Sequence, residues 1–240
     1  MTDPITLVIP VYNEGGNIRT ALDAIDEQLH TPAESWLIYD SDEDTTLAAA
    51  KPLLGKTRVP FRFVRNRYGR GVLGAIKTGL ETAPTPYVVV TMADLSDPPT
   101  VIDNMVATAD REGADIVCAS RYMPGGAQIG GPRFKGFLSR TAGWMLHRFA
   151  GLPVRDPTNS FKLYRKSFLD VVKIESDGGF ELGIELVVKA HAMGRTVVEV
   201  PTIWRDRSAG KSNFKLWKWL PRYLRWFRFA FRRSDLTRGA

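Results

Sequence analysis

The chain has 240 residues, 44% of them apolar, a single cysteine and a formal charge of +7. That length holds one compact domain, or two abutting halves, with a full core. The lone Cys118 excludes an intrachain disulfide and a thiolate metal cluster, and the positive balance suits an anionic partner: nucleic acid, anionic lipid or a phosphorylated small molecule.

Strands and helices alternate from the start. Ile5-Thr6-Leu7-Val8-Ile9-Pro10 predicts a strand. A turn over 11–17 follows, with Asn17 as the N-cap of a helix that carries Ile18, Ala21, Leu22 and Ile25 at helical spacing. Trp36-Leu37-Ile38-Tyr39 predicts a second strand, which runs into the acidic cluster Asp40-Ser41-Asp42-Glu43-Asp44. A helix over 48–54 and a third strand, Phe61-Arg62-Phe63-Val64, come next. The glycines Gly69, Gly71 and Gly74 then lead into a helix ending near Thr82. Tyr87-Val88-Val89-Val90 has the continuous apolar character of a strand covered on both faces. It delivers Met92-Ala93-Asp94-Leu95-Ser96-Asp97-Pro98-Pro99, an acidic segment that the prolines stiffen and stop. Beyond it the pattern predicts a helix over 101–111, a strand over 115–120 ending in a buried thiol-bearing run, and a helix over 134–149 with aromatics on one side. A turn-rich site over 156–161, a helix over 181–193 and a strand over 196–200 complete the series. Such alternation with short loops indicates an α/β fold with a mostly parallel, Rossmann-like central sheet flanked by helices.

Open α/β sheets place ligands outside the C-terminal ends of their strands. Asp40, Asp42, Asp44, Asp94 and Asp97 are expected there. Carboxylates in that position hold a divalent ion or ribose hydroxyls, or simply cap turns. Gly69, Gly71 and Gly74 satisfy the dinucleotide pattern, with Asp94 about twenty residues on, so an oxidoreductase is a remote rival. The basic loop Arg65-Asn66-Arg67-Tyr68 that feeds the pattern weakens it. Arg121, Arg133, Lys135, Arg140, Arg207 and Lys211 lie in loop contexts with glycine nearby, suited to phosphate clamps or to a solvated surface. His30, His147 and His191 show no ligand spacing, and no Ser-His-Asp or Cys-His arrangement emerges.

Residues 214–233 carry Lys215, Lys218, Arg222, Arg225, Arg228 and Arg232 on one side of a helical wheel. Trp219, Leu220, Tyr223, Leu224, Trp226, Phe227, Ala230 and Phe231 fall on the other. A basic, aromatic-rich amphipathic helix of this kind suits a bilayer interface, and Pro221 is expected to kink it. Packing on the protein's own body, or a role as a basic membrane-binding module without catalysis, are the other uses of such a face. No stretch of ~18 uncharged apolar residues suggests a spanning helix, and no secretory leader is visible. The expected location is cytoplasmic, peripheral on the membrane.

Several segments, in order, resemble a family-2 glycosyltransferase of the GT-A fold, in the dolichyl-phosphate mannose synthase and polyprenyl-phosphate glycosyltransferase group. They are Val8-Ile9-Pro10-Val11-Tyr12-Asn13-Glu14, Asp40-Ser41-Asp42-Glu43-Asp44, Ala93-Asp94-Leu95-Ser96-Asp97-Pro98-Pro99, Ser120-Arg121-Tyr122 with Gly125-Gly126, Asp156-Pro157-Thr158-Asn159-Ser160-Phe161, and Arg207-Ser208-Ala209-Gly210-Lys211-Ser212. The resemblance implies a GT-A domain over 1–212, with a nucleotide-sugar half (1–99) and an acceptor half (100–212), followed by a membrane-interface helix over 213–240.

It further implies inverting transfer of a sugar, mannose from GDP-mannose, to dolichyl or polyprenyl phosphate, with UDP-glucose and a non-lipid acceptor as the runner-up. Pro10, Tyr12, Glu14 and Asp40 would hold the nucleotide. Asp94 would be catalytic and would ligate Mg2+ or Mn2+. Arg121, also catalytic, would hold the acceptor phosphate with Lys135 and Ser139, and Arg207 and Lys211 would close on the donor diphosphate. Partners would be these two substrates and the membrane surface, with no nucleic acid, and docking by amphipathic helices or through a separate membrane-anchoring partner. One departure stands out: Met92 occupies the first carboxylate position of the D-x-D motif, and thioether sulfur is a poor ligand for a hard cation. Fewer protein ligands, or Asp97 as a substitute, would then serve the ion.

Overall fold

A computed structural model describes residues 4–206 and 216–237, with the side chains of the last helix described from Leu220 to Arg232. Strands β1 (Ile5–Pro10), β2 (Ala33–Tyr39), β3 (Phe61–Arg65) and β4 (Tyr87–Val90) pair in parallel in the order β3-β2-β1-β4. Helices α1 (Ile18–Gln28), α2 (Thr45–Ala50) and α3 (Val72–Thr82) connect them, and α4 (Thr100–Glu112) leads on to β5 (Ile116–Ser120). The short β6 (Ala127–Ile129) and the long α5 (Arg133–Phe149) follow. After them come β7 (Lys162–Arg165), α6 (Lys166–Leu169), α7 (Leu182–Ala192), β8 (Val197–Pro201), β9 (Ile203–Arg205) and α8 (Leu216–Thr237). The main sheet runs β3-β2-β1-β4-β7-β5-β8, with β7 antiparallel to both neighbours, and β6 and β9 form a separate parallel pair.

Side-chain alternation along the strands builds two apolar layers. Ile5, Leu7 and Ile9 of β1 and Val89 of β4 face α1 and α4, where Ile18, Leu22, Ile102 and Met105 are buried. Val8, Val88 and Val90 face the opposite way, against α3, α5, α7 and α8. α3 approaches β1 so closely that a Cβ on Gly79 would lie 2.4 Å from a Val8 methyl. Cys118 is buried in the second layer, and burial pushes its thiol up to about 12.

Three expectations need correction. Asn17 does not cap α1 with its side chain, which instead donates to Glu14 at 2.7 Å. β7 had no counterpart in the strand pattern, because Lys162 sits fully buried in it. The described aromatic residues of α8 are not left for a bilayer, and Trp219 lies outside the described side chains. Trp226 is 2% exposed, and Tyr223, Phe227, Phe229 and Phe231 pack with it against the second layer, where α8 lies on α7 and α5. That packing uses most of the described apolar stripe internally, with Leu224 left exposed. The helix runs through Pro221, and no helix among the described residues is long and apolar enough to cross a membrane.

Candidate active site

A cleft of about 540 Å³ opens at the C-terminal ends of β1, β2 and β4. Pro10, Tyr12, Glu14, Asp40, Asp94 and Asp97 all line it, so the structure brings the nucleotide and carboxylate candidates together. Asp40 and Asp94 are not at adjacent strand ends, however. β1 lies between their strands, which sets them roughly 10 Å apart across the sheet.

The turn after β1 is latched to the N-terminus of α2. Asp44 caps α2 by accepting from the Thr46 amide at 2.8 Å, and it also accepts from the Asn13 amide at 3.0 Å. The Glu14 amide donates to Thr46 Oγ1 at 3.0 Å. Asn13 takes a positive φ of 55°, which turns the chain so that Tyr12, 60% exposed, stands at the cleft mouth. Of the acidic cluster, Asp40 alone lines the cleft. Asp44 is spent on the cap, and Asp42 pairs with Arg65 at the surface at 2.8 Å. Asp40 is itself engaged: Oδ1 accepts from Asn66 Nδ2 at 2.7 Å and Oδ2 from the Gly71 amide at 2.8 Å.

Asp94 follows β4 on a tight turn. Its Oδ1 accepts from the Ser96 amide at 3.0 Å, and Leu95 between them holds a φ of 54°, an unusual state for a branched side chain. The Arg205 amide ties β9 to this turn through the Ser96 carbonyl at 2.8 Å. Asp97 turns its carboxylate inward, accepting from Thr202 Oγ1 at 2.9 Å and from Asn159 Nδ2 at 3.3 Å. Burial pushes its carboxyl up to about 6, against those hydrogen bonds and the nearby Arg121 charge. Among the described residues, no three carboxylate or imidazole side chains converge as a metal site. Asp94, beside Met92, fits an ion of the Mg2+ or Mn2+ type held chiefly by substrate phosphate oxygens, because such ions need only one or two protein carboxylates.

A second cluster lies behind the cleft. Arg121 leaves β5 and forks onto Asp156, with Nε to Oδ2 at 2.7 Å and Nη2 to Oδ1 at 2.9 Å. Nη2 also reaches Ser139 Oγ of α5 at 3.2 Å and Thr158 Oγ1 at 3.1 Å. Ser139 in turn meets the Tyr122 hydroxyl at 2.9 Å. Asp156 is fully buried; burial pushes its carboxyl up, but the Arg121 charge, the hydrogen bonds from Arg121 and the Lys162 charge together outweigh it and keep the carboxyl below its usual range. α5 can approach because Gly143 has no side chain: a Cβ there would lie 2.1 Å from the Arg155 carbonyl oxygen. Asn159 links the two clusters, since its amide donates to Asp156 and its side chain to Asp97. Below it, the Lys162 ammonium donates to the Asn159 carbonyl.

The structure therefore joins Arg121 and Ser139. Lys135 lies one turn earlier on α5, and Arg207 and Lys211 lie outside the described residues. Sequence reasoning gave no individual role to Asp156, Asn159, Thr202, Phe180, Trp204 or Arg70. The turn-rich run over 156–161 was the available signal for the first two. Phe180 is brought to the cleft by a loop whose Glu181 accepts from the Gly178 and Gly179 amides, both at 2.7 Å.

The mixed α/β sheet, with its cleft at the strand ends, matches the fold of solved glycosyltransferases of the GT-A type. Residues 6–172 match the model of Glycosyl transferase family 2, and the chain belongs to that family. Over 216 residues it is 31% identical to a dolichol-phosphate mannosyltransferase from Pyrococcus furiosus, an alignment covering 88% of this chain and 59% of the relative. It is 28% identical to a polyprenol monophosphomannose synthase from Mycolicibacterium smegmatis, covering 88% of this chain and 81% of that one. Among solved structures, a mannosyltransferase from Pyrobaculum calidifontis in complex with GDP-Man and Mn2+ shares the fold with a TM-score of 0.63 and 17% identity, covering 98% of this chain and 74% of that one. A glucosyl-3-phosphoglycerate synthase from Mycobacterium tuberculosis in complex with phosphoglyceric acid has a TM-score of 0.67 and 17% identity, covering 97% and 80%.

Proposed function

We propose that this glycosyltransferase moves mannose from GDP-mannose to a dolichyl or polyprenyl phosphate, with inversion, at the cytoplasmic face of a membrane. The two named relatives support the acceptor class. The observation that carries the proposal is α5. Its inner side holds Ser139 against Arg121, while Phe134, Phe137 and Trp144 on the same helix are 55%, 64% and 55% exposed. Arg133 and Arg140 are exposed beside them. Aromatic rings next to cations suit the headgroup boundary of an anionic bilayer. A lipid phosphate lying at that boundary would be within reach of the Arg121–Ser139 cluster, with Lys135 as a further cation. The docking surface thus moves from the C-terminal helix, whose described rings pack on the protein, to α5.

In this mechanism a phosphate oxygen forms a bond to the anomeric carbon as the bond to the donor diphosphate breaks, and the electron pair leaves with the diphosphate. The attacking phosphate is already ionised at neutral pH, so no strong general base is required. Asp156 holds Arg121 in place, so that its guanidinium can meet the acceptor phosphate beside Ser139. Pro10, Tyr12, Glu14 and Asp40 flank the nucleoside, and Arg207 and Lys211 close on the diphosphate. A divalent ion, when bound beside Asp94, supplies charge neutralisation at the leaving diphosphate.

The test offers radiolabelled GDP-mannose and UDP-glucose with either a polyprenyl phosphate or 3-phosphoglycerate. Mannosyl lipid is the expected product, and Asp94→Asn should abolish it at unchanged melting temperature. Transfer from UDP-glucose to the soluble acceptor alone would replace this proposal with the runner-up.

A further inference from the structure

The glycine run over 69–74 has no place in the chemistry above, yet it forms one wall of the cleft. After β3 the chain folds back over the ends of β2 and β3. Asn66, buried, organises this return: Nδ2 donates to Asp40 and to the Gly71 carbonyl at 3.3 Å, and Oδ1 accepts from the Tyr68 amide at 2.9 Å. Gly74 leaves the room, since a Cβ there would come within 2.8 Å of Asn66 Oδ1. Gly69 and Gly71 adopt φ values of 81° and 121°, conformations that residues with side chains avoid. The Gly71 amide is locked to Asp40 Oδ2. It is therefore used to hold the loop, whereas a dinucleotide fingerprint would aim that amide at a pyrophosphate.

The residue between the two strained glycines is Arg70. It lines the cleft beside Tyr12, Glu14 and Asp40, and makes no hydrogen bond or ion pair among the described residues. The other charged residues described in the lining are Glu14, Asp40, Asp94 and Asp97, all acidic, so Arg70 is the cation of this wall among the described residues. It stands at the β2–β3 end. The Asp94 turn stands on the far side of β1. A nucleotide-sugar with its diphosphate at Asp94 places its base, not its phosphates, near Arg70.

We infer that Arg70 reads the base and selects guanine, and that Asp40 is the positioning residue that fixes its loop. The inference rests on the cleft being a nucleotide-sugar site. A guanidinium donates two parallel N–H groups, and the guanine edge offers two adjacent acceptors, O6 and N7. Uracil offers a single carbonyl at the corresponding edge. Adenine offers N7 beside an amino group that opposes the guanidinium. The proposed guanine preference thus comes from one side chain held on a pinned turn.

The test measures GDP, UDP and ADP binding by titration calorimetry in Mn2+ buffer to the wild type, Arg70→Ala, Arg70→Lys and Asp40→Ala. The wild type should bind GDP about 10-fold or more tightly than UDP or ADP, the range expected for a bidentate base contact. Arg70→Ala should bring the ratio close to one while leaving UDP affinity and melting temperature unchanged. Arg70→Lys, which keeps the charge but loses the fork, should lose most of the preference. Asp40→Ala should lower the GDP/UDP ratio too, which a merely structural or ribose-binding role would not do. Equal weakening of GDP and UDP by Arg70→Ala would make it a diphosphate contact and overturn the inference. So would an unchanged ratio, or a wild type that favours UDP. A wild type that binds none of the three overturns the nucleotide-sugar proposal itself, and this inference with it.

Discussion

Removing the carboxylate of Asp156 should unfold the acceptor side of the site before it touches the donor side. Asp156 is fully buried and accepts five hydrogen bonds: from the Arg121 amide, Nε and Nη2, from Thr158 Oγ1 and from the Asn159 amide. Its partner side chain is 12% exposed. Deleting one member of such a pair leaves the other charge buried without compensation, at a cost of about 3–5 kcal/mol. For a chain of this size that is roughly a 6–20 °C drop in melting temperature. Asp156→Ala is therefore expected to lower stability by this amount in urea titrations. The double variant Arg121→Met with Asp156→Leu should recover most of it, because neither charge then needs a partner. It should not recover transfer, because Arg121 is gone. GDP binding should change little in the double variant, since neither residue lines the donor cleft. A loss below about 1 kcal/mol in Asp156→Ala, or a double variant no more stable than the single, would refute the view of this pair as a buried, mutually dependent unit.

Four further outcomes are expected. The Asp97 carboxyl, up from 3.8 to about 6 when folded, binds its proton more tightly in the native state, so its contribution to stability is full below 3.8 and is lost as pH rises to about 6. Asp97→Asn should therefore gain on the wild type by roughly 3 kcal/mol between pH 4 and pH 8 in the nucleotide-free protein, and a constant gap would contradict the burial of this group. Met92→Asp, by restoring a second oxygen ligand beside Asp94, should tighten Mn2+ binding in the presence of GDP. Calorimetry showing tight Mn2+ binding to the nucleotide-free wild type would contradict the one-carboxylate site. Phe137→Ser with Trp144→Ser should lower partition onto anionic vesicles by at least about 10-fold, since each buried ring contributes roughly 1.5–3 kcal/mol, at unchanged melting temperature. Trp226→Ala should do the reverse, costing about 3–5 kcal/mol of stability as a filled core position is emptied.

Local pattern alone determined the α/β alternation, the parallel β1–β4 group and the acidic strand ends. The near-continuous apolar runs of β1 and β4 suit strands covered on both faces, and helical spacing in α1 admits only one apolar face. The family was legible for the same reason, because its motifs are short turns at strand ends. What escaped the sequence depends on partners distant in the chain. Lys162 hides β7, since a buried ammonium is tolerated only where a carbonyl and the Asp156 charge meet it. Nothing in the order of residues pairs Arg121 with Asp156, or divides Asp40 from Asp42 and Asp44 into cleft, surface and cap. The helical wheel of α8 established that one face is apolar but not what covers it. α5 showed the same pattern, and its rings stay exposed. Amphipathicity is a property of one segment, whereas burial is a property of two surfaces meeting, and only the tertiary structure decides which segment meets protein and which is left for something else.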